Sequence, residues 1–136
     1  MSAVGYSGTP LPKKLGFKPG MRAALLDAPD GFGATLGELP DGVEVARRLG
    51  GRFDLVVVFV TERGQLERRL EALRRAIAPD GMVWVAWPKK ASGVATDMTE
   101  DVVRDVALPT GLVDVKVAAL DATWSGLKLV IRRELR

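Results

Sequence analysis

The 136-residue sequence contains neither cysteine nor histidine. The first absence removes disulfides, thiolate nucleophiles and cysteine zinc sites. The second removes Ser-His and Cys-His nucleophilic sites, imidazole metal ligation and a histidine base working near neutral pH. Any catalysis must therefore use carboxylates, Lys, Tyr or Ser. A cysteine-free chain is what a reducing cytoplasm permits. No apolar run approaches the length needed to span a bilayer, and residues 1–6 lack a basic region followed by an apolar core, so the sequence reads as cytoplasmic with no membrane partner. Strong charge is lacking too. A net charge of +3 falls short of a dedicated nucleic-acid binder, so nucleic acid is not the expected partner, and the scattered basic pairs read as solvated faces.

What remains is the composition of one ordinary domain, with 47% hydrophobic residues and enough length to bury about two-thirds of the unfolded surface. Residues 1–20, rich in Gly, Pro, Ser and Lys, read as an irregular N-terminal arm with one helical turn at 12–15 and apolar anchors at Tyr6, Leu11, Leu15 and Phe17. Residues 21–136 read as a single Rossmann-like α/β domain. Short apolar runs at 21–26 and 82–87 are expected strands, and a weak alternation predicts another at 43–46. The run Phe53-Asp-Leu-Val-Val-Val-Phe-Val is continuous rather than alternating, which places it inside a parallel sheet. Thr61 then opens a helix in which Leu66, Leu70, Leu73 and Ile77 recur at helical spacing, and Ala78-Pro79-Asp80-Gly81 ends it. Thr99 is the expected cap of a second helix, with Val102, Val103 and Val106 facing the sheet. Residues 112–120 and 127–133 alternate, with Val113, Val115 and Val117 inward on the first strand and a turn through 121–126. The fold class expected is a Rossmann-like three-layer α/β sandwich, mostly parallel, with a C-terminal antiparallel hairpin.

In such a sheet, ligands bind outside the carboxyl ends of the strands, where the strand order reverses. Three loops should meet there: residues 27–33, 61–64 and 87–96. The third is the least ordinary. After Trp87 and Pro88 it carries Lys89 and Lys90, then Ser92 and Gly93, a hydroxyl and a flexible turn able to approach an anion, with Trp84 or Trp87 as a flat apolar wall. The first loop offers Asp27, Asp30, Gly31 and Gly33. Its two acids read as turn formers rather than metal ligands.

The loop Asp27-Ala28-Pro29-Asp30-Gly31-Phe32-Gly33 resembles the Asp-x-Gly-x-Gly-x-Gly loop of class I S-adenosylmethionine-dependent methyltransferases, with Pro29 in place of the first glycine. Residues 53–57 resemble the fourth strand of that family, residues 73–85 its following helix, Pro-x-Gly turn and fifth strand, and the terminal hairpin its last two strands. The resemblance implies a shortened methyltransferase frame with S-adenosylmethionine as a possible cofactor. Too few residues separate the first strand from Phe53 for a complete second and third strand, and only Glu44 stands near where an acid would hold the ribose. Two further stretches, Tyr6-Ser-Gly-Thr-Pro-Leu-Pro-Lys-Lys-Leu-Gly and Trp84-Val-Ala-Trp-Pro-Lys-Lys-Ala-Ser-Gly-Val-Ala-Thr-Asp, resemble a family of small bacterial proteins catalogued as a domain of unknown function. That likeness implies a cytoplasmic bacterial origin and no activity.

The function these features predict is a non-catalytic or regulatory module that binds a small anionic or nucleotide-like ligand at the strand ends, through Asp27, Asp30, Gly31, Gly33, Trp87, Lys89, Lys90 and Ser92. The alternatives are a diverged S-adenosylmethionine-dependent methyltransferase and a basic module for nucleic acid or a protein partner.

Overall fold

A continuous β-branched and aromatic run must be covered on both faces, and the segment 53–59 is. In a computed structural model, which describes residues 8–136, it forms a central strand buried at every position but Asp54. The elements in chain order are α1 (Leu11–Leu15), β1 (Arg22–Leu26), α2 (Phe32–Leu36), β2 (Glu44–Ala46), β3 (Phe53–Phe59), α3 (Arg63–Ala76), β4 (Ile77–Pro88), α4 (Glu100–Ala107), β5 (Leu112–Ala119) and β6 (Trp124–Ile131). The six strands form one sheet in the order β2-β1-β3-β4-β6-β5. β1 lies parallel to β2 and β3, and β3 to β4, while β6 runs antiparallel to β4 and β5. This is the Rossmann-like three-layer arrangement with a C-terminal antiparallel hairpin.

The two faces are covered very unequally. One packs against Leu66, Leu70 and Leu73 of α3 and Val103 and Ala107 of α4. Among the described residues, the other face receives only the five-residue helices α1 and α2, with Leu15, Phe17, Phe32 and Leu36 buried against Leu55, Val57, Phe59 and Trp84. Trp84 is fully buried there, and its indole N–H donates to the Leu15 carbonyl at 2.8 Å. Residues 11–17 are therefore part of the core. The anchor expected at Tyr6 lies outside the described residues.

Four local expectations change. Helix α3 ends at Ala76, and Ile77 with Ala78-Pro79-Asp80-Gly81, expected as its last position and its stop, belongs to β4, where Ile77 pairs with Phe53 before the register shifts. Gly126, read as part of a turn, lies within β6, which starts at Trp124; a side chain at 126 would meet the Trp84 ring at 3.1 Å and Leu120 at 2.6 Å. The glycine makes room for the indole. On β5 the inward series Val113, Val115, Val117 fails, because the pairing with β6 shifts register between Asp114 and Lys116. The shift exchanges the faces beyond it, and Val115 and Val117 are 51% and 45% exposed. The N-cap of α3 is Glu62 rather than Thr61, in a reciprocal capping box with Gln65.

Removing the indole donor leaves the Leu15 carbonyl buried without its partner, which costs about 1–3 kcal/mol. Trp84→Phe should lower the urea midpoint accordingly and accelerate amide exchange across residues 11–17; unchanged exchange there would show that the arm is held by other contacts. Lys128 supplies a second test. It lies opposite Lys116 in the β5–β6 pairing, and burial, then Lys116 and Lys18, hold its ammonium below the usual lysine range. Between the lowered value and the ordinary one, the unfolded chain binds more protons, so stability rises with pH across that window and the penalty is complete below it. Lys128→Met should raise the melting temperature at pH 7 by about 2 °C, a gap that closes as pH approaches 10.5. A variant less stable than its parent at pH 7 would contradict this.

Candidate functional site

From β1 the chain passes to β2 on one side, and from β2 to β3 on the other, so the strand order reverses between β1 and β3. A crevice at the carboxyl ends of those two strands is where an open α/β sheet takes its ligand. The loop leaving β1 is built to hold backbone open there. Asp27 is the one non-glycine residue with positive φ (58°) among the described residues, a conformation that turns the chain sharply off the sheet, and its carboxylate pairs with Arg69 of α3. The Pro29 carbonyl accepts from the Phe32 N–H at 3.1 Å. Phe32 then plugs the loop into the core, its ring edge-on to Phe59 at 4.8 Å, and Phe59 meets Trp124 at 5.1 Å.

Held by Phe32, the two glycines face outward. Gly31 has φ 84°, which a side chain would strain, and a Cβ at Gly31 or Gly33 would meet nothing within 4 Å. Among the described residues no carbonyl accepts either N–H. The Asp30 carboxylate is exposed beside them, with no ion pair among the described residues.

The second loop is stiff. The Gln65 side chain accepts from the Thr61 and Glu62 N–H groups at 2.8 and 3.2 Å, and Asp97 accepts from the Arg63 N–H at 2.8 Å. The Thr96 hydroxyl donates to the Thr61 carbonyl at 2.6 Å and accepts from the Met98 N–H at 3.0 Å. Thr96 and Asp97 thus latch the third loop onto the second. The sequence singled out neither residue, because the partners lie 35 and 34 positions away; a Thr-Asp pair just before a helix cap was the available signal.

The third loop differs most from its expected role. The Lys89 ammonium donates to the Asp121 carbonyl and its N–H to the Thr123 carbonyl, both at 2.7 Å. The Ser92 hydroxyl donates to the Lys89 carbonyl at 2.7 Å and accepts from the Val94 N–H at 3.1 Å. Two of the expected anion contacts therefore serve to tie the loop to the β5–β6 turn and to close its own turn. Lys90 is exposed. Trp84 is core and offers no wall; Trp87, also buried, lines a cavity of about 470 Å³ with Lys89, Lys90, Asp97, Met98 and Glu100. Its lining mixes both charges. The cavity lies over β4 and β6, about 10 Å from β1 at two strand spacings, so the glycine loop and the lysine loop form neighbouring sites rather than one. Glu44 pairs in register with Arg22 at the opposite end of the sheet, and β2 is followed at its carboxyl end by Arg47 and Arg48.

No family model matches the chain and no curated protein matches it, so the resemblance to the small bacterial family rests on its two motifs. Solved structures do match. A TehB-like SAM-dependent methyltransferase from Corynebacterium glutamicum superposes with a TM-score of 0.63 at 15% identity, covering 94% of this chain and 90% of its own. A SAM-dependent methyltransferase from Aquifex aeolicus gives 0.63 at 16% identity, covering 88% and 87%. Magnesium protoporphyrin IX methyltransferase from Synechocystis, with bound SAM, gives 0.56 at 11%, covering 89% and 74%. These neighbours correct the expectation of a non-catalytic or regulatory module for an anionic or nucleotide-like ligand, and they favour the methyltransferase alternative instead. The chain has the fold of the class I S-adenosylmethionine-dependent methyltransferases, shortened to a five-residue helix and a three-residue strand between β1 and β3.

Proposed function

We propose that this protein is a shortened S-adenosylmethionine-dependent methyltransferase of the cytoplasm, with the cofactor over the ends of β1 and β3 and the methyl acceptor in the cavity over β4 and β6. The observation that carries the reading is the open glycine backbone at Gly31 and Gly33, placed at the strand-order reversal of a methyltransferase fold. A backbone with no Cβ and no protein acceptor for its N–H groups can approach a ligand closely. The cofactor carries a sulfonium and an ammonium, and the carboxylates of Asp27, Asp30 and Glu62 around this crevice suit those cations. With Arg47 and Arg48 where an acid would meet the ribose, Asp30 is the carboxylate left to accept from the ribose hydroxyls. A methyltransferase also explains why Asp27 is paired to Arg69: the pair fixes the strained turn from which the glycine loop projects.

When bound, the cofactor supplies an electrophilic methyl group on its sulfonium. The chain's contribution is positioning, which can supply several kcal/mol of a barrier. The Thr96 and Asp97 latches hold the second and third loops at one spacing, and buried Trp87 and Met98 give the acceptor cavity a dry floor. Without histidine, a proton released by the acceptor passes most readily to a carboxylate or to water, since a lysine side chain already carries its proton near neutral pH. Asp97 and Glu100 line the cavity; Asp97, which uses Oδ1 on the Arg63 N–H and keeps Oδ2, is the better placed to accept it, since Glu100 is paired with Arg104.

Calorimetric titration with S-adenosylhomocysteine tests the reading directly. Binding should be saturable. Gly33→Val, whose side chain enters the open space without backbone strain, should weaken it at least tenfold, about 1.4 kcal/mol, while leaving the melting temperature within about 2 °C. Silence at millimolar concentration, or full affinity in the variant, would end the proposal.

A further inference from the structure

The opposite pole of the sheet carries a second concave site, unrelated to the crevice. A cavity of about 370 Å³ is lined by Arg52, Arg74, Arg75, Ile77, Pro79, Ile131, Leu135 and Arg136. Arg52 precedes β3, Arg74 and Arg75 close α3, and Arg136 follows β6, so three separate parts of the chain bring four arginines to the wall and rim of one concavity. Among the described residues no Asp or Glu side chain lines it. Gathering like charges in this way is unfavourable unless something of opposite sign is present.

The side-chain partners among the described residues do not supply it. Arg75 is bridged to Glu71 at 3.3 Å, an exposed pair outside the cavity, and Arg136 donates Nε to the Ile131 carbonyl at 2.8 Å, which fixes its head over the end of β6. Among the described residues Arg74 has neither kind of partner. Its Nε is buried with no acceptor among them, and the guanidinium lies so close to Gly111 that a Cβ there would meet Nε at 3.4 Å. A buried guanidinium N–H without an acceptor costs more than an ordinary unmade hydrogen bond. Cations in the last turn of a helix are favoured by its carbonyl end, which accounts for Arg74 and Arg75 as residue types. It does not bring Arg52 and Arg136 to the same place, and it gives Nε no acceptor.

We propose that this pole is a binding site for a phosphate group, held by Arg74 and Arg52 with Arg75 and Arg136 around it, over an apolar floor of Ile77, Pro79, Ile131 and Leu135. Planar guanidinium forks match tetrahedral oxyanions through paired N–H donors, and the volume is at the small end of ligand pockets, enough for a phosphate and the first atoms of its ester. The length of β3 separates this site from the proposed cofactor site by roughly 23 Å, and S-adenosylmethionine carries no phosphate. The two assignments therefore stand or fall separately.

Nuclear magnetic resonance titration of the intact protein with inorganic phosphate, against sodium chloride of matched ionic strength, tests it. Phosphate should shift the Arg74 Nε–H resonance saturably, chloride should not, and Arg74→Gln or Arg52→Ala should weaken binding at least tenfold. Lys13→Ala, which removes the same charge elsewhere, should leave it unchanged. Arg52→Ala guards against a folding defect in the Arg74 variant, since the Arg52 contact to Arg22 is through its carbonyl. Adenosine monophosphate and a single-stranded oligonucleotide of about ten nucleotides separate the sources of the phosphate. Equal affinities with shallow salt dependence assign a small phosphoester; a preference for the oligonucleotide with a steep salt slope assigns a polynucleotide backbone. Equal shifts with chloride, or retained affinity in both arginine variants, overturn the site.

Discussion

The structure is governed by β3, a strand that must be dry on both faces in a chain with helix enough to cover one. α3 and α4 bury one side of the sheet in the ordinary way. The other side has two five-residue helices, and aromatic rings make up the missing volume. Of the seven aromatic residues among those described, Phe17, Phe32, Phe59 and Trp84 are buried on this face and Trp124 packs against it. A ring buries more area per residue than any aliphatic side chain, so a composition only 6% aromatic covers the face because its rings are concentrated there. Gly126 and the small residues Ala86 and Ala118 paired beside it are the necessary counterpart, since each leaves space a ring can take.

The same economy shapes the proposed cofactor site. With so little chain between β1 and β3, the loop after β1 cannot lean on a long following helix, and Phe32 anchors it instead against Phe59. The opposite wall is fixed by side chains that bond to main chain: Gln65 on Thr61 and Glu62, Asp97 on Arg63, Thr96 on Thr61. Rigid walls around an open glycine backbone are what positioning requires. The lysine loop belongs to this framework, since Lys89 and Ser92 spend hydrogen bonds on holding it to the β5–β6 turn.

Much of the fold was legible because burial leaves a period in the sequence. The continuous run at 53–60, the leucines of α3 and the alternation of Leu127, Leu129 and Ile131 each state how many faces are covered, and each was read correctly. What periodicity cannot show is a slip in register: the bulge in β5 exchanges faces after Asp114, and no local pattern marks it. Nor does it tell a turn glycine from one that admits a distant ring, which is why Gly126 misled. The site was less legible for a related reason. Lys89 and Ser92 looked like ligand contacts because lysine and serine in a loop suit an anion, yet the acceptor for Lys89 is a carbonyl 32 residues away, and main-chain acceptors carry no residue signature. The unpartnered Arg74 was invisible in the same sense, since an absent acceptor leaves no trace in a sequence.

The bond between Trp84 and the Leu15 carbonyl joins positions 69 residues apart, and this has a consequence for the order in which the protein is made. Residues 11–17 leave the ribosome well before the surface that receives them, which is completed only when β4 has emerged and paired with β3. At synthesis rates of about 5–20 residues per second, Leu15 and Phe17 wait for several seconds with their apolar surface in water. Residues 11–17 are thus made before β4 yet secured only after it. During that interval the nascent chain carries an exposed hydrophobic segment, and its protection then falls to the machinery that receives new chains rather than to its own fold.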